Sequence, residues 1–214
     1  MRASSFRLAT VGLVAAAIVL VDCSSSGPTA PSTIGIPCVP TDERQLTFAG
    51  FATNEVVIES APSACAGGVC LVNHFQGRSN CPYGQTEVEA MGQSGRPEEE
   101  LCHAPDRGTT SADRVVVAVS PQLIGRRQAD VVHCSCRCAG PDPSASYCTC
   151  PVGFECADLV EPVVGLEDRG LSGSYCVKTG TVYDPGSVGS ECTKPDGDRP
   201  GNCGPSARTF SEVP

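Results

Sequence analysis

Tryptophan is missing from this 214-residue chain, and aromatic residues make up only 5% of it. Leu, Ile, Val and Phe supply about 19% of the residues from Cys23 onward. At that level a chain struggles to bury enough apolar surface to offset its conformational entropy. Basic residues are also few: 15 Lys and Arg stand against 24 Asp and Glu, a formal charge of −9. Such a chain lacks the cationic surface that neutralises phosphates, which argues against nucleic acid as a partner. No apolar run reaches the roughly 20 residues of a membrane-spanning helix. Linear catalytic signatures are missing as well: no G-x-S-x-G, P-loop, H-E-x-x-H or G-x-G-x-x-G occurs. Neither does Cys-x-x-Cys. The chain is therefore read as a non-enzyme, with no catalytic residue, cofactor or metal ligand assigned.

What the chain has instead is cysteine, 15 in all. Cys23 closes a short apolar stretch near the start. The other fourteen are Cys38, Cys65, Cys70, Cys81, Cys102, Cys134, Cys136, Cys138, Cys148, Cys150, Cys156, Cys176, Cys192 and Cys203. The odd total reads as one plus seven pairs. Each disulfide contributes about 2–4 kcal/mol, chiefly by restricting the unfolded chain. In a body this poor in apolar residues, and with 23 Gly and 18 Pro, cross-links take over part of the role of a core. Disulfides persist only in an oxidising compartment.

The N-terminus agrees with that. Two arginines and no acid precede an uncharged run at residues 8–21, the length of a signal-peptide core rather than a span. The run ends Leu20-Val21-Asp22-Cys23-Ser24. This resembles a bacterial lipobox, with Asp22 where the family usually carries a small residue. The resemblance implies a signal peptide at 1–22, cleavage before Cys23, and a diacylglycerol on the Cys23 thiol. Ser24 would then favour passage to the outer membrane. The alternative is an ordinary signal peptide and a secreted or periplasmic protein. Residues 23–37, rich in Ser, Gly and Pro, read as a solvated tether.

Residues 38–127 read as a β-rich domain. Strands are expected at 46–51, 54–59, 69–72, 114–119 and 129–133, with 114–119 the strongest, and one helical turn after Pro97. Residues 128–178 form a cysteine-dense region, and 179–214 a Gly- and Pro-rich tail. Cys134, Cys136 and Cys138 alternate, so in a strand the first and third share a face. Neighbours in a Cys-x-Cys unit rarely bridge, so the three should find three different segments. Local pairings are expected for Cys65–Cys70 and Cys192–Cys203; spacing leaves the rest open. No long amphipathic helix is visible. The fold class is thus mainly β: a small disulfide-rich body with short strands, long loops and little helix beyond the signal peptide.

Cys148-Thr149-Cys150-Pro151-Val152-Gly153-Phe154-Glu155-Cys156 resembles the C-terminal half of an EGF-like module, with one residue where the family has several before the last cysteine. The chain as a whole resembles the cysteine-rich lipoproteins of myxobacterial type that have no assigned activity. That likeness rests on the signal and Cys23, the Ser-rich tether, Val72-Asn73-His74-Phe75-Gln76-Gly77-Arg78 before Cys81-Pro82-Tyr83-Gly84, and Gly173-Ser174-Tyr175-Cys176. The expectation is an exported, membrane-anchored protein with a binding or structural role. Its partners would be the bilayer, through the acyl anchor, and a protein or glycan at the cell surface. Two other classes stay open. A secreted hydrolase would place His74, His103 or His133 in a polar cleft beside a serine or acid. A metal-handling protein would keep thiols unpaired near Cys102-His103 or His133-Cys134. Asp196-Gly197-Asp198 looks faintly like a calcium loop but lacks the closing Glu, and reads as a solvated turn.

Overall fold

A computed structural model describes residues 33–60, 62–161, 170–195 and 201–203. The expected signal peptide, Cys23, most of the tether and the acidic turn at 196–200 lie outside these residues.

Two small antiparallel sheets carry the fold. The first has the order β1-β2-β3, with β1 Val56–Ser60, β2 Val69–Asn73 and β3 Val132–Ser135. In the second, β6 (Gly173–Lys178) lies between β4 (Arg137–Ala139) and β5 (Phe154–Val160). Among the described residues helix is limited to single turns, including α1 (Glu87–Ala90) and α2 (Gln128–Val131).

Side chains alternate across each strand, and this alternation assigns every face a job. On the inner face of the first sheet Val56, Ile58, Val69 and Leu71 meet Ala157, Leu159, Tyr175 and Val177 of the second. On its outer face Val57, Val72 and Val132 pack with Phe51, Phe75 and Val131. The outer face of the second sheet has no such apolar layer; Cys156 and Cys176 sit there, opposite each other in the ladder. Close approach of β4 and β6 depends on Gly173, whose φ is 132° and whose Cβ, if present, would stand 2.2 Å from the Ala139 carbonyl oxygen.

Two expected strands do not form. Residues 114–119 alternate in burial as a strand would, with Val115 and Val119 buried and Val116 exposed. They find no strand to pair with. Instead the Gln85 side-chain amide donates to the Val115 and Val117 carbonyls at 2.8 and 2.9 Å, and Val116 N–H bonds the Leu46 carbonyl. Residues 46–51 likewise give a loop, with one bridge from Phe51 to Gly77 and an edge-to-face contact between Phe48 and Phe51. The 129–133 segment splits, its first half becoming α2 and its second β3. After Pro97 the chain makes a 3-10 turn over Glu98–Glu100, with Pro97 as its N-cap.

The expected Cys65–Cys70 bond is not made. Cys70 joins Cys38 and Cys65 joins Cys134. Cys70 lies on β2, where a bond to distant Cys38 ties a loop to the sheet, while Cys65 reaches β3 across the same face.

Candidate functional site

All fourteen cysteines of the body are bonded: Cys38–Cys70, Cys65–Cys134, Cys81–Cys102, Cys136–Cys148, Cys138–Cys156, Cys150–Cys176 and Cys192–Cys203. The Cys134, Cys136 and Cys138 run does reach three separate segments. Both sheets repeat one device. Two cysteines face each other on neighbouring strands, Cys70 with Cys134 and Cys156 with Cys176, yet neither pair is joined. Each member bonds a residue outside that ladder pair, so the bridges add constraints that the strand hydrogen bonds do not already supply.

The bonds gather into clusters. In the first sheet the sulfurs of Cys38, Cys65 and Cys134 lie within 4.8 Å of one another, as do those of Cys136, Cys148 and Cys176, and of Cys138, Cys150 and Cys156, in the second. Such triads have the spacing of a metal site, but every sulfur in them is held in a disulfide and carries no thiolate. In the stretch read from the sequence as resembling an EGF-like module, Cys148, Cys150 and Cys156 bond outward to Cys136, Cys176 and Cys138, so it is not closed on itself.

The three histidines fall in three different settings. His74 has a positive φ of 51°, points Nδ1 at the Thr53 carbonyl at 2.8 Å, and stacks on Tyr183 at 3.8 Å. Burial holds its pKa below the usual imidazole value. His103 bonds the Leu101 carbonyl through Nδ1 at 2.9 Å and sets Nε2 3.4 Å from Glu98, which Arg114 also contacts at 2.9 Å. His133 is 1% exposed, and neither of its ring nitrogens has a hydrogen-bond partner. Burial pushes its pKa down to about 4. Among the described residues, no serine hydroxyl is hydrogen-bonded to any of the three rings, the arrangement a hydrolytic triad would need.

A polar groove of about 350 Å³ runs between α1 and the tail, lined by Tyr83, Thr86, Glu89, Arg96, Glu191 and Lys194. Thr86 and Glu89 form a reciprocal capping box that fixes one wall. Arg96 reaches both Glu89 and Glu100, and Lys194 contacts Glu100 at 2.6 Å. Burial opposes charge on Glu89, but Thr86 and Arg96 outweigh it and hold the carboxyl below its usual range. The groove thus presents alternating charges that compensate each other, a surface suited to polar contact.

Sequence reading missed a buried polar core. Arg78 and Glu43 are both fully buried. Arg78 donates to the backbone carbonyls of Glu43, Gln45 and Phe48, and Glu43 accepts from the Ser79 N–H at 2.6 Å and the Ser79 hydroxyl at 2.8 Å. Burial raises the Glu43 pKa, against the pull of Ser79 and Arg78. This unit pins the 43–48 loop to the turn at Arg78 and Ser79.

In comparisons with known proteins, no family model matches the chain, and neither a curated protein nor a solved structure does.

Proposed function

We propose that this chain is an exported, lipid-anchored, cysteine-rich protein whose body has a binding or structural role at the cell surface or in the periplasm. The observation that carries the proposal is the cysteine account. Seven bonds take the fourteen body cysteines and leave Cys23, which stands where a lipobox places the acylated residue. Disulfides in such number belong to an oxidising compartment outside the cytosol. No helix among the described residues is long and apolar enough to cross a membrane; the anchor we propose is the acyl group on Cys23. The polar groove beside α1 is the surface we assign to partner contact, with a protein or glycan as the occupant its paired charges suit.

Intact-mass and peptide mass spectrometry of the protein recovered from membranes tests this. The expected result is an N-terminal peptide beginning at Cys23 with a diacylglyceryl adduct, and a gain of fourteen alkylated thiols only after reduction. An unmodified N-terminus at any other residue would refute the lipid anchor.

A further inference from the structure

The seven disulfides respect one boundary. Cys38, Cys65, Cys70, Cys81, Cys102 and Cys134 pair among themselves, and so do Cys136, Cys138, Cys148, Cys150, Cys156 and Cys176. Cys192 and Cys203 close the tail. No bridge crosses between Ser135 and Cys136, although these residues are adjacent and the two sheets face each other. The second sheet is therefore joined to the first only by the chain entering at Cys136 and leaving after Lys178. Its exit is held by Arg126 and Asn73, both bonded to the Thr181 carbonyl at 3.2 Å.

The contact between the sheets is otherwise non-covalent. Leu71, Tyr175 and Val177 form its apolar centre. Ser135 donates to the Cys176 carbonyl at 2.7 Å and Lys178 to the Ala129 carbonyl at 2.5 Å. At the Phe154–Lys178 end of this contact stands His133. It is opposite Leu71 in the β2–β3 ladder, so it faces the second sheet, with its ring edge-on to Phe154 at 5.5 Å. Neither ring nitrogen has an acceptor in hydrogen-bond geometry for an added proton. The charged groups acting on it are Lys178 from β6, which opposes protonation, and Asp130 from α2, which favours it. The Cys176 carbonyl also favours it, close by but without hydrogen-bond geometry to the ring.

We propose that the second sheet is an acid-released flap: a disulfide-locked unit of β4, β5 and β6 that docks on the first sheet without a covalent bridge and lifts from it when His133 takes up a proton. Each half stays closed by its own bonds, so the interface yields before either sheet does. Lifting uncovers Leu71, Tyr175 and Val177 and leaves the Phe51 and Phe75 core of the first half intact. With His133 at about 4 when docked and near 6.5 when released, the opening equilibrium rises roughly 50-fold from pH 7 to pH 4.5.

Hydroxyl-radical footprinting of the oxidised full chain tests this, read by mass spectrometry as labelling rates at pH 7 and pH 4.5. We expect the Tyr175 and Leu71 rates to rise at least tenfold in acid while Phe51 and Phe75 stay constant. In His133→Leu the rise should vanish. Lys178→Met removes the positive charge opposing protonation together with the Ala129 contact; it should raise labelling at both pH values and move the midpoint of the acid rise to higher pH, and it serves if His133→Leu does not fold. A flat Tyr175 rate in the native chain, or Tyr175 and Phe75 rising together as in global unfolding, would overturn the proposal.

Discussion

The two sheets solve one problem in different ways. The first sheet is covered on both faces by side chains: its inner face by the second sheet, its outer face by Phe51, Phe75, Val131 and their neighbours. Two disulfides, Cys38–Cys70 and Cys65–Cys134, sit inside that outer layer. The second sheet buries its inner face in the same contact, but its outer face carries three clustered disulfides where the first has aromatic rings. Val152, beside them, is fully exposed. Cross-links here restrict the unfolded chain where burial cannot reward the folded one. The lesson is that a chain short of apolar residues need not spread the shortage evenly. It packs apolar side chains on both faces of one sheet and closes the outer face of the other with sulfur.

That contrast can be broken by substitution. The largest effects should fall in the packed half. Phe75→Ala empties a fully buried site and should cost about 3–5 kcal/mol in chemical denaturation. Arg78→Met should cost a similar amount, about 3–5 kcal/mol, because it leaves the buried carbonyls of Glu43, Gln45 and Phe48 without their donor. Removing Cys150 and Cys176 together, each to Ser, should cost about 2–4 kcal/mol. Hydrogen exchange should then show protection lost in β4, β5 and β6 and kept in β1 and β2. Protection lost evenly through both sheets would erase the distinction between the halves.

Acid sharpens the comparison at the seam. His133 has a depressed folded pKa, about 4 against an unfolded 6.5. The unfolded chain therefore binds the proton first, and stability is full above pH 6.5 and lost as pH falls toward 4. The loss at pH 4.5 relative to pH 7 should be about 2 kcal/mol in denaturant titrations, and His133→Leu should remove that component. Thr86→Ala, which breaks the capping box of α1, should cost only about 1 kcal/mol. It should leave both sheets unchanged by circular dichroism, since α1 lies outside them.

Much of the first half was legible in the sequence. Val56, Val57 and Ile58 are β-branched and end at a turn signal, and Val69 to Val72 follow with the right length; both became strands. Residues 114–119 carried the strongest pattern of all and failed, because strand formation needs a partner and Gln85 supplied hydrogen bonds instead. Period alone cannot reveal that a side chain stands where a strand should. In the second half Tyr175 and Val177 look like a short apolar phrase between cysteines, and nothing local says that they face Leu71 a hundred residues earlier. The buried Glu43 and Arg78 pair was invisible for the same reason, since 35 residues separate them. Of the two bridges expected from proximity, the tail loop Cys192–Cys203 is present in the structure, where no strand competes for either residue. Cys65 and Cys70 are equally near in sequence, but the β2–β3 ladder carries Cys70 toward Cys38 and brings Cys134 to Cys65.

Disulfide mapping tests the division into two separately bonded halves most directly. The native protein would be digested without reduction at low pH, to suppress exchange, and the linked peptides sequenced by mass spectrometry. We expect Cys38–Cys70, Cys65–Cys134 and Cys81–Cys102 on one side of Ser135, and Cys136–Cys148, Cys138–Cys156 and Cys150–Cys176 on the other. A peptide linking any cysteine of 38–134 to one of 136–176 would contradict it.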